Sequence, residues 1–582
     1  MSRSLSASHG EVVRNASIVG AGTLLSRIAG LVRDQVTAFY FGASPAADAF
    51  FVAFRIPNLL RRLLAEGALT PAFVPVFTDR LVSGGKEAAR GLFVGVWSLM
   101  TLVLGAITVL GVVFAPTIVR LIAPGFASNP GQFELTVLLA RVLFPYILLI
   151  TLTALAMGAL NSLGRFNIPA LGPVLLNVCM VLGAVLISPR LERPILGLAL
   201  GALLGGVAQL AIQLPGIVRA GISLGFTLKL KDPAVFRVLK LMAPTALGAA
   251  AYQVSVFVNT QLASLLEEGS VSFLYYADRL VQFPLGVFSL AIATAILPAM
   301  ARSKAEGDEL GFKEMFQRAL SLQFFITIPA MAGLMVMGVP LVSLLFERGS
   351  FDAASTVETS KALLGYSLGL PFLSGASLAA RAFYSLSDTK TPAKVAAVSL
   401  AIGLLLAIIL MFPLGHAGLA LASSLASLVN FLWLALLLRK KGILRLGDFA
   451  SDALRSALYA LLMAAILWPI YHSSLDAKSP LLIVAGLMLG PLVFFGAARL
   501  NNSANLAPVT DVLGKIKGRL LGGKAKTQEA SGQKAKDMAA KDTEAGDIAA
   551  KDTEAKDTGA ANIEPDDTES AARAGKDKDK GA

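Results

Sequence analysis

Four arginines lie inside long apolar stretches of this chain, with no acidic residue three or four positions away on the helix that each stretch predicts. They are Arg27, Arg33, Arg61 and Arg279. Partners on a helix are three or four positions apart, and Asp34, directly next to Arg33, is expected to point elsewhere. A charge within a bilayer costs roughly 2.5–3.5 kcal/mol on insertion scales. Each arginine therefore needs a distant partner, access to the membrane surface, or an anion in a water-filled cavity.

These four arginines favour an anionic ligand. Arg27 and Arg61 each lie about 15 residues from a helix end, too deep for comfortable contact with the membrane surface. Distant pairs with Asp34, Asp48 or Asp278 could neutralise two of the four, which leaves positive charge in excess. The planar guanidinium suits phosphate because it can donate two parallel hydrogen bonds. The sequence therefore predicts a cavity that binds a phosphate group.

A second set of charged residues surrounds Arg61 in the sequence. These residues lie within or shortly before the stretch RIPNLLRRLLAEG (55–67). Arg61 itself lies about 100 degrees from Arg62 on a helix and has Asn58 among its neighbours. With 3.6 residues per turn, one stripe of a continuous helix carries four charges that can pair with one another: Asp48, Arg55, Arg62 and Glu66. For this stripe, structural pairing and ligand binding are both open.

The composition is that of a membrane protein. Hydrophobic residues make up 55% of the 582 residues and charged residues 15%, against about 25% charged in a soluble chain. The single cysteine, Cys179, excludes a disulfide framework. The three histidines, His9, His416 and His472, fall at the terminus or in predicted loops. We therefore expect neither a metal site nor a cofactor.

Fourteen apolar segments are long enough to cross about 30 Å of hydrocarbon. The polar start MSRSLSASHGEVVRN has no cleavable small-residue site, so we expect no signal peptide. The predicted fold class is an all-α polytopic membrane protein. Its spans are 12–41, 46–79, 91–121, 134–161, 166–188, 194–220, 234–266, 270–301, 313–346, 356–386, 391–412, 416–438, 452–471 and 479–499.

The loops between these spans differ in charge. One set of alternate loops holds about 19 Lys and Arg residues, and the other set holds about 4. By the positive-inside rule the basic loops are cytoplasmic, which places both termini in the cytoplasm. This basic face accounts for the positive net charge, and nothing suggests nucleic acid as a partner.

The chain contains an internal repeat. ALNSLGRFNIPA (159–170) matches AFYSLSDTKTPA (382–393) at five of twelve positions, and AFRI (53–56) faces ADRL (277–280) at nearly the same separation along the chain. Two units of six spans in one orientation are typical of parallel-repeat transporters. Arg55 and Arg279 are equivalent in these units. A cavity between two lobes would thus be cationic on both sides, and rocking of the lobes would give alternating access.

The last part of the chain differs from the rest. Residues 501–582 hold 14 basic and 15 acidic residues and too little apolar surface to fold, so we expect a disordered cytoplasmic tail. The predicted parts are a cytoplasmic N-terminus (1–11), an N-lobe of spans 1–6 (12–220), a C-lobe of spans 7–12 (234–438), two further spans (452–499) and the tail (501–582).

Three stretches carry a family resemblance: SRIAGLVRDQVTAFYFGASPAADAFFVAFRIPNLLRRLLAEGALTPAFVPVF (26–77), YYADRLVQFPLGV (275–287) and SLSDTKTPA (385–393). The chain resembles the MurJ (MviN) family of peptidoglycan lipid II flippases over residues 11–500. That family belongs to the multidrug/oligosaccharidyl-lipid/polysaccharide exporter superfamily. The resemblance implies fourteen helices, two six-helix lobes around a cationic cavity, and a groove for the lipid tail at 452–499.

The resemblance also implies roles for single residues. The family's essential cavity arginines fall on the same four arginines, and its acidic residue after the first loop falls on Asp48. A glutamate often found in span 8 is Gln282 here, and span 7 has no acidic residue for a sodium ion. Asp388 is better explained as a helix cap. The supporting residues of the predicted site are Asp34, Asp48, Arg55, Asn58, Glu66, Asp278 and Gln282.

Four functions compete. The first is a flippase that moves lipid II, an undecaprenyl-diphosphate-linked disaccharide peptide, to the outer leaflet of the bacterial inner membrane. The second is an exporter of another polyprenyl-diphosphate-linked glycan, or a cation-coupled drug antiporter. The third is a membrane enzyme acting on a polyprenyl phosphate. The fourth is a scaffold for cell-wall assembly without transport.

The residues favour the flippase. An exporter of organic cations needs acidic cavity residues, and an enzyme needs a base, a metal or a nucleophile in a suitable place. A scaffold leaves the intramembrane charges unexplained. We therefore expect a transporter and not an enzyme, with lipid II and the membrane as partners and cell-wall synthesis proteins as further candidates.

Overall fold

The computed structural model describes residues 2–227, 232–473, 479–507 and 510. Within these ranges the chain forms helices and connecting turns and no β-strand, which confirms the predicted all-α class. The first half contains α1 (Ser2–Phe41), α2 (Pro45–Leu60), α3 (Thr70–Val113), α4 (Ala115–Ile122), α5 (Pro130–Leu143), α6 (Pro145–Ser162), α7 (Asn167–Leu182) and α8 (Ile195–Arg219).

The second half continues the helical pattern. Its helices are α9 (Pro233–Ser264), α10 (Ser270–Pro284), α11 (Leu290–Ala305), α12 (Glu309–Val336), α13 (Gly338–Phe346), α14 (Ala353–Ser367), α15 (Leu370–Ser385), α16 (Lys390–Lys440), α17 (Leu446–Ser473) and α18 (Pro480–Leu500). Short 3-10 turns lie at Pro124–Ser128, Ser188–Arg190 and Ala504–Leu506. The predicted disordered tail lies almost entirely outside the described residues.

Nine helical segments in the described ranges are long and apolar enough to cross a membrane. Two of them are too long for one crossing, since Pro45–Val113 has 69 residues and Lys390–Lys440 has 51, whereas about 20 suffice. Each contains one glycine with a non-helical backbone, Gly85 (φ 69°) and Gly415 (φ 56°). Glycine adopts these angles without steric cost, so the chain turns there. The count of fourteen spans stays a prediction.

Backbone features recur at the spacing of the sequence repeat. Gly164 (φ 73°) and Ser387 (φ 60°), which are equivalent in the aligned motifs, both adopt a left-handed conformation. The helices that follow them, α7 and α16, begin at the equivalent residues Asn167 and Lys390. The two halves therefore repeat their turns as well as their short motifs. The domain boundaries given above stay predictions.

Three helices widen locally into π-helix. These segments are Arg61–Leu69, Gly183–Ile187 and Leu285–Ser289, named here the first, second and third π segment. In the first, the N–H and hydroxyl of Thr70 both donate to the carbonyl of Ala65, five residues earlier, which is the π-helical spacing. The first and third segments begin at positions separated by the repeat spacing, so the widening also belongs to the repeat.

The two halves meet where α2, the first π segment and α3 pack against α9 and α10. At one end of this interface the connecting loops bond directly across it. Ser350 N–H donates to Phe39 O at 2.8 Å, Gly125 N–H to Ser264 Oγ at 3.2 Å, and Asn129 to Glu268 at 3.1 Å. We call this end the closed face. Its loops are among those that the charge pattern places outside the cell.

Candidate functional site

Arg33 and Asp34 on α1 are buried and bonded to each other. The Nε and Nη2 atoms of Arg33 donate to Oδ1 of Asp34 at 3.1 and 2.6 Å. The expectation that Asp34 points away from Arg33 is therefore wrong. The arginine side chain is long enough for its guanidinium to turn back onto the neighbouring carboxylate.

The same carboxylate binds an arginine of the second half. Nε of Arg279 on α10 lies 3.1 Å from Oδ2 of Asp34. The Tyr275 hydroxyl donates to Oδ1 of Asp34 at 2.9 Å and accepts from Nη2 of Arg33 and of Arg279 at 2.9 and 2.8 Å. The Arg279 guanidinium also lies over the Tyr275 ring, 4.9 Å from its centroid, a favourable cation–π position. These residues form the Asp34 cluster: Arg33, Asp34, Tyr275 and Arg279.

The Asp34 cluster carries one negative and two positive charges, so it keeps a net positive charge. Its two arginines differ in exposure: the side chain of Arg33 is 9% exposed and that of Arg279 is 42% exposed. Arg33 is therefore a fixed component, whereas Arg279 can be reached by a ligand.

Asn177 on α7 holds Arg33 in place, and sequence reasoning missed it. Its Oδ1 accepts from Nη1 of Arg33 at 3.1 Å, and its Nδ2 donates to the carbonyls of Ser26 and Pro173 at 3.2 and 3.0 Å. The residue is buried and its hydrogen bonds fix which way the amide faces. A lone amide in the apolar run PVLLNVCMV (173–181) was the signal that could have revealed it.

Arg27 lies two helical turns before Asp34 on α1, and its side chain is exposed. In the part of the chain that the structure describes, its guanidinium has no hydrogen bond and no ion pair. It lies against Gly286 in the third π segment, on the opposite half of the molecule. Arg27 therefore keeps its donors available.

Arg61 begins the first π segment and contacts a residue one turn earlier. Its Nε donates to Oδ1 of Asn58 at 3.2 Å, and Asn58 Nδ2 donates to the Phe54 carbonyl at 2.9 Å. The predicted association of Asn58 with Arg61 is therefore present. The structure brings Arg33 and Arg279 together in the Asp34 cluster and holds Arg27 and Arg61 at other points.

The predicted stripe of paired charges does not form at Asp48 and Arg55. Asp48 accepts hydrogen bonds from the N–H groups of Gly269 and Ser272, both at 2.8 Å, and from the Ser272 hydroxyl. Arg55 Nη1 donates to Thr260 Oγ1 at 2.6 Å. The partners of Asp48 and of Arg55 lie in the second half, so the residue pattern of a single helix cannot reveal them.

Other charged residues near the site make short-range contacts. Arg62 is exposed, and its predicted pairing with Glu66 falls on a side chain outside the described residues. Gln282 Nε2 lies 3.4 Å from Oδ1 of Asp278 on the same helix. Asp388 accepts from the Thr391 N–H at 3.0 Å, and this bond holds the pKa of its carboxyl below the usual value. That geometry supports its interpretation as a helix cap.

The interface also contains an apolar cavity of about 230 Å³ between the first π segment, α3 and α9. Its lining offers no group that could bind a phosphate. The described residues hold no cluster of three or more His, Cys, Asp and Glu side chains able to bind a metal ion. The lining residues are Leu64, Leu99, Met100, Val103, Leu104, Ile107, Leu239 and Met242.

An all-helical bundle of two repeated halves, with charged groups bonded across their interface, defines a polytopic transporter fold. Solved members of the multidrug/oligosaccharidyl-lipid/polysaccharide (MOP) exporter superfamily share this fold. The chain superposes on a multidrug resistance MATE family transporter in an inward-facing conformation with a TM-score of 0.56 and 18% identity, covering 76% of this chain and 95% of that one. At that identity the likeness concerns the fold alone.

More similar proteins define the family. Residues 37–486 match the sequence profile of a family described as "Lipid II flippase MurJ". The probable lipid II flippase MurJ of Vibrio cholerae serotype O1 is 39% identical over 442 residues, 75% of this chain and 84% of that protein. The lipid II flippase MurJ of Burkholderia cenocepacia is 38% identical over 429 residues, 73% and 83% of the two chains.

A solved structure of a lipid II flippase MurJ in an inward closed conformation superposes with a TM-score of 0.72 and 29% identity, covering 83% of this chain and 98% of that one. The chain belongs to the MurJ family of lipid II flippases, as its motifs implied. This is a family of transporters and not of enzymes.

Proposed function

We propose that the protein moves lipid II from the cytoplasmic to the outer leaflet of the bacterial inner membrane, by alternating access of its two halves. The observation that carries this proposal is the Asp34 cluster. Two arginines from opposite halves share one carboxylate, so positive charge is left for a diphosphate. Arg27 and Arg61 add to the positive charge of the first half.

The difference in exposure between the two arginines indicates how the ligand acts. Arg33 is held by Asn177 and Asp34, whereas Arg279 is open to a ligand. A diphosphate that binds Arg279 competes with Asp34 for the same guanidinium. Because that ion pair joins the two halves, ligand binding weakens one of the contacts that hold them together.

Asp48 has the complementary role at the closed face. Its carboxylate accepts three hydrogen bonds from the start of α10 and so holds the first half against the second. With the basic loops and both termini in the cytoplasm, this face is the outer one. Release of the substrate to the outer leaflet then requires these three hydrogen bonds to break.

A neighbouring function differs in its cargo. Another polyprenyl-diphosphate-linked glycan presents the same diphosphate to the arginines, so the chemistry of the Asp34 cluster is shared. An organic cation is disfavoured because the cluster has positive charge in excess. Cell-wall synthesis proteins that deliver or receive the lipid are further partners of this proposal.

The test is complementation in cells depleted of their own flippase, with lipid II accessible at the outer surface as the readout. Alanine at Arg27, Arg33, Arg61 or Arg279 should abolish accumulation at normal membrane levels of protein. Lysine should restore it only in part, because lysine lacks the planar fork. Arg62→Ala is the matched control and should be milder, because Arg62 directly follows Arg61 and so points to a different face of the helix.

Two results would contradict the proposal. If all four alanine variants transport normally, the arginines are structural. If wild-type protein leaves the amount of external lipid II unchanged but raises the external amount of another polyprenyl-linked glycan, that glycan is the cargo.

A further inference from the structure

We propose that Gly286 positions Arg27 for the diphosphate, and that its lack of a side chain fixes where the Arg27 guanidinium lies. This inference rests on the proposed function. Gly286 belongs to the third π segment and Arg27 to α1, so the contact crosses from one half of the molecule to the other.

The contact is unusually close. A Cβ atom built on Gly286 would lie 2.6 Å from Cζ of Arg27 and still closer to both terminal nitrogens. Real Cβ atoms do not approach heavy atoms within 3.0 Å. Any residue other than glycine at this position therefore requires the guanidinium to move.

All three atoms that would collide belong to the end of a flexible side chain. The backbone can stay where it is while Arg27 turns away. Alanine is also favoured over glycine inside a helix, so the exchange does not by itself weaken the fold. A functional loss in Gly286→Ala would thus report the position of Arg27.

The contact has a defined place relative to the Asp34 cluster. Arg27 precedes Asp34 by seven residues on α1, and Gly286 follows Arg279 by seven residues on the other helix. Antiparallel helices put such pairs in one register, about 10 Å apart along the axis. The Arg27–Gly286 contact therefore lies next to the Asp34–Arg279 ion pair, two turns away on the side opposite the closed face.

The surroundings explain why this place suits a ligand. Gly286 presents only backbone to the guanidinium, and no hydrogen bond to Arg27 is found among the described residues. The five N–H donors of arginine stay available, whereas those of Arg33 are engaged by Asp34, Asn177 and Tyr275. Arg27 can therefore bind a diphosphate without first giving up a partner.

The experiment measures binding of farnesyl diphosphate to the purified full chain in lipid nanodiscs. The variants are Gly286→Ala, Arg27→Ala, Arg27→Lys and the two double variants with Gly286→Ala. Gly105→Ala is the matched control, because a Cβ there meets nothing within 4 Å. Thermal unfolding of each variant checks that the fold is kept.

Gly286→Ala should weaken binding about tenfold, comparable to loss of one charge-assisted hydrogen bond, and should leave the unfolding temperature unchanged. The double variant Arg27→Ala with Gly286→Ala should bind no more weakly than Arg27→Ala alone. The shorter lysine should tolerate the alanine, so Gly286→Ala should cost less in the Arg27→Lys background. Gly105→Ala should bind as wild type does.

The outcomes separate the inference from the function on which it rests. If Arg27→Ala binds normally, Arg27 does not serve the ligand, and the proposed function loses that residue. If Arg27→Ala is weak but Gly286→Ala binds as wild type, the positioning role is wrong. The role is also wrong if Gly286→Ala weakens binding equally with and without Arg27.

Discussion

Arg55 and Arg279 hold equivalent places in the two halves of the repeat, and each reaches across to the other half. Arg55 donates to the neutral hydroxyl of Thr260, whereas Arg279 pairs with the carboxylate of Asp34. The helix that Arg55 contacts, α9, contains no acidic residue, so it offers Arg55 no equivalent of Asp34. Duplication kept much of the backbone, including the first and third π segments, while the polar chemistry diverged.

Because of this divergence, the two halves contribute different polar groups to the interface. Among the residues that the structure describes, the buried carboxylates Asp34 and Asp48 belong to the first half. Donors of the second half, including Ser272 and Arg279, bind them across the interface. An anionic ligand competes with the first half for donors of the second half. A cationic ligand would have to compete for the two carboxylates. The asymmetry is therefore matched to an anion.

The sharpest test of this comparison sets Arg279→Ala against Arg55→Ala. Arg279→Ala removes one of the two guanidinium partners of Asp34, and it would also remove the ligand contact. We expect it to abolish transport, as measured by lipid II accessible at the cell surface. Arg55→Ala removes a bond to a neutral hydroxyl, and transport should fall severalfold at most.

Matched double variants sharpen that result. In the Arg55→Ala background, Thr260→Val should add nothing, because the hydrogen bond that it would remove is already absent. If Arg55→Ala is as severe as Arg279→Ala at equal membrane levels, the two arginines share one function and the comparison fails.

The next effect in size concerns Asp48. Hydrogen bonds to a charged acceptor contribute roughly 1.5–3 kcal/mol each, and Asp48→Ala removes three while it leaves the N–H groups of Gly269 and Ser272 without their acceptor. We expect the closed face to open. Spin labels at Ser44→Cys and Glu267→Cys, in a Cys179→Ala background, should shift to longer distances.

Asp48→Asn provides the control, because it keeps the shape of the side chain and one acceptor oxygen. Its distance distribution should lie between those of wild type and Asp48→Ala. If Asp48→Ala leaves the label distances unchanged, the loops alone hold the closed face together.

Much of this architecture follows from sequence, because apolar length and repeat spacing are local properties. The all-α class and the family were both accessible. The pairing of charges was not. The first π segment changes the helix period from Arg61 onward, so a stripe drawn at 3.6 residues per turn loses its register there.

Contacts between helices account for the other differences. Asp48 and Arg55 have their partners on helices of the second half, far away along the chain, and no single-helix pattern contains that information. Asn177 and Gly286 act through arginines on other helices. Their sequence signals, an isolated amide and a glycine in a span, have many structural explanations.

Asn177 should give a moderate effect. Asn177 accepts a hydrogen bond from Arg33 of the first half and so holds its side chain in place. The side chain of Arg279 in the second half is partly exposed. Asn177→Asp puts a second carboxylate on Arg33 and cancels the positive charge of the Asp34 cluster, so binding of farnesyl diphosphate should weaken about tenfold, as for the loss of one favourable charge contact.

Asn177→Leu keeps the branched shape of the side chain and adds no charge, and it should weaken binding less than Asn177→Asp. The opposite order, with leucine the more severe, would show that Asn177 acts through helix packing. A lower dependence of binding on salt in Asn177→Asp would support the charge explanation, because exposed charge interactions are screened by salt.

The smallest expected effect compares the equivalent turns at Gly164 and Ser387. Both have positive φ, where a residue other than glycine is strained by roughly 1–2 kcal/mol. A Cβ at Gly164 meets nothing within 4 Å, so Gly164→Ala should destabilise through the backbone alone, by about 1 kcal/mol. Ser387→Gly removes the strain and should stabilise by about 0.5 kcal/mol, the strain relief being offset by greater freedom of the unfolded chain. Unfolding in a denaturing detergent measures both changes. If the duplication preserved one left-handed turn in both halves, Gly164→Ala should lower the free energy of unfolding and Ser387→Gly should raise it, with transport unaffected in both. Changes of the same sign would mean that the two turns differ in conformation.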